Sequence, residues 1–291
     1  MVQSWSPTEK TERGRRLITQ KTRAPPPKPQ RPLESGRTAF RSKNMVPAFE
    51  LVEKEIHKSL QSMKAGTFMP SDLRSYDVFN SWLLRGACYA GELELPILQA
   101  VQVEPKRLIP FSHARATSGD LSDACIHFFE HDCKFQCVWN TPSRYLSLFK
   151  KCEAVIEPDF SMYRNMPAAM QQGNCFRGRA ISYWLQTEGV QVIPNVRFSD
   201  DRSWSYCFDG LPEQAILAVG SHGCLRERED RRWFEEGLYE LFCRLSPHTL
   251  VVYGATPEEI FGPYERAGVR ILGFESTFAQ THRGSGRHGD R

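Results

Sequence analysis

Four apolar runs in this 291-residue chain end in side chains that can do chemistry. The run "EAVIEPDFS" delivers Asp159 and Ser161, and "VQVIPNVRFSD" delivers Asn195, Arg197 and Asp200. "AILAVGSHG" delivers Ser221 and His222, and "VRILGFE" delivers Glu275. A carboxylate at the end of a buried strand is raised in pKa by desolvation, so Asp159 and Glu275 read as a general acid–base pair. Asp159, His222 and Glu275 also carry oxygen and imidazole ligands suited to a divalent cation. No ligand pair among them has fixed helical spacing, and no metal is assigned. The third chemistry is capture of a small anionic ligand, with Arg197, Arg115 and backbone amides taking phosphate or carboxylate. Asp159, His222 and Glu275 are thus the catalytic candidates. Ser161, Asn195, Arg197, Asp200 and Ser221 are the ligand-binding candidates, and the cofactor is left open.

Each candidate has a structural alternative. Asp159 follows a proline and precedes a serine, the setting of a turn cap. Arg197 can pair with Asp159 or Asp200 as plain architecture. The glycines around Ser221 and His222 let a ligand approach the backbone, and they also make turns. An adjacent Ser and His are no nucleophile–base pair by themselves, and the GxSxG elbow is absent. His127, inside "CIHFF", reads as a satisfied core histidine.

The elements that position these groups alternate. Strand runs are expected at "RLIPF" (107–111), "CIHFF" (125–129), "EAVIEPD", "VQVIPNVRF" (190–198), "AILAVGSHG" (215–223), "TLVVYGA" (249–255) and "VRILGFE" (269–275), with "PILQAV" an eighth candidate. Helical patterns stand between them. One starts at Pro142 with Tyr145, Leu148 and Phe149. One is capped by Asn165, with Pro167 just inside, and stops at Gly189. One carries Phe234, Leu238, Leu241 and Leu245. One opens with a Thr256–Glu259 capping box and Pro257. The runs are continuously apolar, as in strands covered on both faces. No glycine fingerprint of a nucleotide-cradling open sheet occurs. The expected fold is therefore a parallel (β/α) barrel or truncated barrel, with the polar ends converging on one mouth.

Residues 1–44 contain eleven Lys/Arg against three Glu, a net +8, while the whole chain carries +4. The segment "RAPPPKPQRPLESG" buries too little apolar area to offset its ordering entropy. The reading is a disordered basic leader over 1–44, an amphipathic helix over 45–68, one α/β domain over 69–278 and a disordered tail over 279–291. The leader can contact nucleic acid through phosphates. No apolar window suits a membrane span or a secretory signal, and the nine scattered cysteines read as reduced thiols of a cytoplasmic protein.

"PDFSMYRNMP", "GVQVIPNVRFSD", "SYCFDGLP" and "AVGSHGC" resemble an uncharacterised bacterial family also found in phages and mobile elements. The resemblance covers roughly Arg74 to Leu250. Its signature falls on Asp159, Ser161, Asn195, Arg197 and Asp209, and Phe198 stands where a tryptophan is expected. It implies a fold and a mobile-element context, with no activity attached. The favoured expectation is a ligand-binding or enzyme-like α/β barrel. The alternative is a mobile-element interaction protein that reaches nucleic acid or a protein partner through its leader.

Overall fold

The computed structural model describes residues 77 and 79–276. The expected leader, the helix over 45–68 and the tail from 279 lie outside the described residues. The described chain opens with a short antiparallel hairpin, β1 (Tyr89–Ala90) on β2 (Leu95–Pro96). Gly91 turns it at φ +70°, and a Cβ there would overlap the Asp209 carboxylate.

Parallel pairing then joins β3 (Arg107–Pro110), β4 (Ala124–His127), β5 (Ala154–Ile156) and β6 (Val192–Ile193) in that order. A second parallel set is β7 (Ile216–Gly220), β8 (Thr249–Tyr253) and β9 (Arg270–Phe274). One parallel bridge, Asn195 to Ala218, links the two sets. There the Ala218 amide donates to the Pro194 carbonyl and the Val196 amide to the Ala218 carbonyl, both at 2.8 Å. Seven strands thus stand in sequence order without a reversal. A β9–β3 ladder, which a closed barrel needs, does not occur among the pairings of the described residues.

The continuous apolar runs are explained by what covers the sheets. Cys125, Ile156, Ile193, Ala218 and Val251 meet in one core cluster, with Leu108, Leu272 and Phe274 packed against it. The intervening residues face helices. Val155 and Val192 pack with Ile181 and Leu185 of α1 (Ala168–Thr187). Leu217, Val219, Leu250 and Val252 pack with Phe234, Leu238 and Leu241 of α2 (Arg228–Leu245) and with Ile260 and Phe261 of α3 (Glu258–Arg266).

Several local expectations are corrected. Asn165 does not cap α1; Pro167 takes the N-cap position with extended backbone and no side-chain cap. Pro257 likewise stands at the N-cap of α3, so the Thr256–Glu259 capping box does not form. In both cases proline takes φ near −60° with an extended ψ, and the helix starts one residue later. The helix expected from Pro142 splits into a 3-10 turn, Pro142–Tyr145, and one α-turn, Leu146–Phe149. No helix among the described residues is long and apolar enough to cross a membrane.

Candidate functional site

Strand β5 runs into Glu157-Pro158-Asp159, and both carboxylates are buried. Glu157 keeps the helix-facing register of Val155. It accepts two hydrogen bonds from Arg179 Nη1, 2.9 Å to Oε1 and 2.7 Å to Oε2. The Asn195 backbone amide adds a third, to Oε2 at 3.2 Å. Arg179 is itself 1% exposed, and its Nη2 donates to the Cys207 carbonyl at 3.1 Å. Burial pushes the Glu157 carboxyl up, while the Arg179 charge and the Asn195 amide pull it back. One arginine on α1 therefore ties the end of β5 to the turn that contains Cys207 and Asp209.

Helix α1 comes this close because residue 178 is glycine. A Cβ there would stand 2.8 Å from the Pro158 carbonyl oxygen and 3.2 Å from Glu157 Oε1. Gly178→Ala is expected to push the helix off the strand end and cost about 1–3 kcal/mol, read as a lower thermal midpoint.

Asp159 does not cap its turn. Its Oδ1 accepts from Asn195 Nδ2 at 2.7 Å, and its Oδ2 faces Arg197 Nη1 at 3.4 Å. Burial raises the Asp159 carboxyl; Arg197 and then Asn195 oppose it. For Arg197 burial is the largest influence and favours the neutral form, but the Asp159 charge, helped by Cys224, Tyr163 and Asp132, more than offsets it and keeps the guanidinium protonated. Asn195 belongs to both carboxylates, serving Glu157 with its backbone and Asp159 with its side chain. The Arg197 side chain is 27% exposed, so this pair reaches solvent while the Glu157–Arg179 pair does not.

Ser161 is held by Asp132, which accepts from its hydroxyl at 2.8 Å and from its amide. The amino half of α1 fastens both loops. Asn174 donates to the Ser161 carbonyl at 2.6 Å, and Gln171 donates to the carbonyls of Tyr163 and Met166, each at 3.0 Å. Ser199 donates to Gln171 Oε1 at 2.6 Å. Tyr163, with its hydroxyl 3.1 Å from Ser161 Oγ, begins a surface groove of about 560 Å³. Arg164, Asn165, Asp200, Glu229, Asp230 and Trp233 complete its lining. That volume suits a small-molecule ligand.

The other candidates stand apart from this cluster. Asp200 pairs with Arg202 and accepts its backbone amide, capping the turn Asp201–Ser205. Ser221 donates to the Ala255 carbonyl at 2.7 Å, which binds the loop after β7 to the loop after β8. His222 lies edge-on to Tyr253, ring centroids 6.3 Å apart. Glu275 is exposed after β9, four strands along from β5. His127 is a buried core histidine, as expected. Its Nδ1 accepts the Phe129 amide at 3.2 Å, and its ring lies 4.5 Å from that of Tyr253. Among the described residues no group of three or more metal-ligating side chains converges.

Glu157, Arg179, Asp132, Asn174 and Gln171 were missed in the sequence. The signal that could have found the helical ones is the set of polar residues Gln171, Asn174, Arg179 and Ser182 on a helix long enough to need a buried face.

The signature segments thus converge: Asp159 from the first, with Glu157 just ahead of it, Asn195 and Arg197 from the second, and Cys207 from the third. A domain family described as "Domain of unknown function (DUF4417)" matches residues 87–275, which contain all of them. The chain belongs to the DUF4417 family. The match begins near the hairpin and ends just after β9, so it takes in every strand described here. The "Gene 1 protein" of Mycobacterium phage D29 is 33% identical to the chain over 162 residues, 55% of this chain and 60% of that protein. The "Gene 1 protein" of Mycobacterium phage L5 is 33% identical over 162 residues, 55% of this chain and 71% of that protein. The alignment thus spans well under the full length of either relative. No solved structure matches significantly. The phage relatives and the family of unknown function agree with the resemblance read from the sequence.

Proposed function

We propose that this DUF4417 domain is a ligand-binding, enzyme-like α/β domain of barrel type, and that Asp159, Asn195 and Arg197 form the rim where a small anion is held. The barrel reading is supported by seven parallel strands in sequence order and by a core cluster that draws on β3 through β9. It is supported further by Phe129, beyond β4, which lies 5.0 Å from the Tyr253 ring at the end of β8. Phe129 also fills the space that a side chain at residue 220 would need. Strands that lie apart in order thus have ends that meet, as around a mouth.

The observation that carries the ligand reading is the state of Arg197. A guanidinium has five donors in a fixed fork. This one makes a single long ion pair, at 3.4 Å, and stands partly exposed at a strand end. A carboxylate or phosphate takes such a fork bidentately. Asp159, desolvated and raised, is the group placed to exchange a proton with the ligand. Ser161, two residues beyond Asp159, is taken as a secondary contact, with Asp200 and Ser221 as more distant ones. His222 and Glu275, after β7 and β9, are the further candidates for acid–base work.

The test is a thermal-shift screen of the full chain with inorganic phosphate, pyrophosphate, a nucleoside monophosphate and a dicarboxylate. At least one anion is expected to raise the wild-type midpoint, and Arg197→Gln to remove that shift. Asp159→Asn keeps an acceptor for Asn195, and Arg197 can find water. Its basal folding free energy is therefore expected to stay within about 1 kcal/mol of wild type while the ligand shift is lost. A shift that survives Arg197→Gln, or no shift with any of the four, counts against the reading.

A further inference from the structure

Between the ends of β5 and β6 and helix α1 lies a small cavity of about 10 Å³, lined by Glu157, Cys175, Arg179, Asn195 and Arg197 among others. Three buried polar atoms of its lining residues make no hydrogen bond within the protein: Arg179 Nε, Arg197 Nε and Asn195 Oδ1. Arg179 is 1% exposed and Asn195 3%. Leaving a buried polar atom without a partner is costly, so three such atoms on residues that line one cavity call for a shared partner.

The donor and acceptor pattern names the partner. Both Nε–H groups can only donate. The orientation of Asn195 is fixed, because its Nδ2 must donate to Asp159 Oδ1 at 2.7 Å, so its Oδ1 can only accept. The occupant must therefore accept from two arginines and donate to an amide oxygen. A halide meets the first demand and is repelled by the second. An oxyanion is too large for the volume. A single water satisfies both, and the space is of the size that holds one.

We infer that this cavity binds one water molecule, bridging Arg179 and Arg197 through Asn195. Its lone pairs face two guanidinium groups, so it is a bridge and a poor nucleophile. It connects the arginine that holds Glu157 to the arginine that faces Asp159, and it fixes the inner edge of Arg197 while the Nη edge is left toward the rim. The inference stands whether or not the rim binds an anion.

The experiment is NMR on the full chain, deuterated and ¹⁵N-labelled without added ligand, reading nuclear Overhauser contacts between arginine Nε–H groups and water. Arg179 and Arg197 are each expected to show a water contact with the sign of a long-lived bound molecule. Cys175→Met, which fills the cavity wall, is expected to remove both contacts. It should also lower by one the count of long-lived waters from ¹⁷O relaxation dispersion. Should that variant fail to fold, the wild-type contacts decide alone. Nε–H groups of Arg179 and Arg197 that show no water contact, or contacts unchanged in folded Cys175→Met, overturn the inference.

Discussion

Glutamine in place of Glu157 is expected to lower the folding free energy by about 3–5 kcal/mol, the largest effect of any single substitution at the site. The substitution is nearly isosteric, so the effect comes from charge. Arg179 is 1% exposed and, among the described residues, makes its carboxylate hydrogen bonds, at 2.7 and 2.9 Å, to Glu157. With glutamine there, a guanidinium stays buried without a counter-charge. Asp159→Asn also removes a carboxylate from an arginine, yet its partner is 27% exposed and water can screen it. The two neighbouring carboxylates should therefore differ several-fold in their contribution to stability. Urea denaturation of both variants measures this. Replacing the whole buried pair with Glu157→Leu and Arg179→Met should recover most of the loss, because no charge is then stranded. A Glu157→Gln cost below about 1 kcal/mol would mean that Arg179 finds another partner or leaves its site.

The second large effect is an acid instability carried by His127. Burial pushes its pKa down to about 4 from 6.5. Above pH 6.5 the ring is neutral whether the chain is folded or not, and stability does not depend on it. Between pH 6.5 and 4 the unfolded chain takes up a proton that the folded ring refuses, so stability falls as pH falls. The full loss is about 3 kcal/mol, reached near pH 4, where the folded ring begins to protonate as well. The raised carboxyls of Glu157 and Asp159 work in the opposite sense, since a raised carboxyl binds its proton more readily in the folded state. The measurement is therefore the difference between wild type and His127→Gln across pH 4–7. That difference should narrow steadily toward low pH. A constant difference would place the His127 ring in contact with solvent.

The strand runs were legible because strands covered on both faces are apolar throughout, and β8 is buried at all five positions. The rim residues were legible for a related reason. Pro158 and Pro194 interrupt the apolar runs, and the next polar groups, Asp159 and Asn195, stand where the sheet ends. What sequence could not give was pairing. Arg197 had two carboxylates in reach and went to Asp159, because Asp200 is taken by Arg202 two residues away. Arg179 looks like any basic residue on a helix. Its role depends on Glu157, 22 residues earlier, and on the Cys207 carbonyl, 28 residues later. The helix starts failed for a local reason, since a proline next to a capping residue can itself take the cap position. Barrel closure depends on an edge-to-edge pairing that no run of residues encodes by itself.

The strand order also bears on how the chain is made. Each strand from β4 to β9 pairs with the one before it, β7 by a single bridge, so a growing chain never waits for a later partner. By the time Ile193 has been synthesised, β3 through β6 can already be in place with α1 over them. The remaining three strands then join through a seam of one bridge, Asn195 to Ala218. That seam passes through the residue that serves both buried carboxylates. Asp159, Asn195 and Arg197 all precede β7, so the first half already carries the three side chains, and the second half adds the strand that pairs with Asn195.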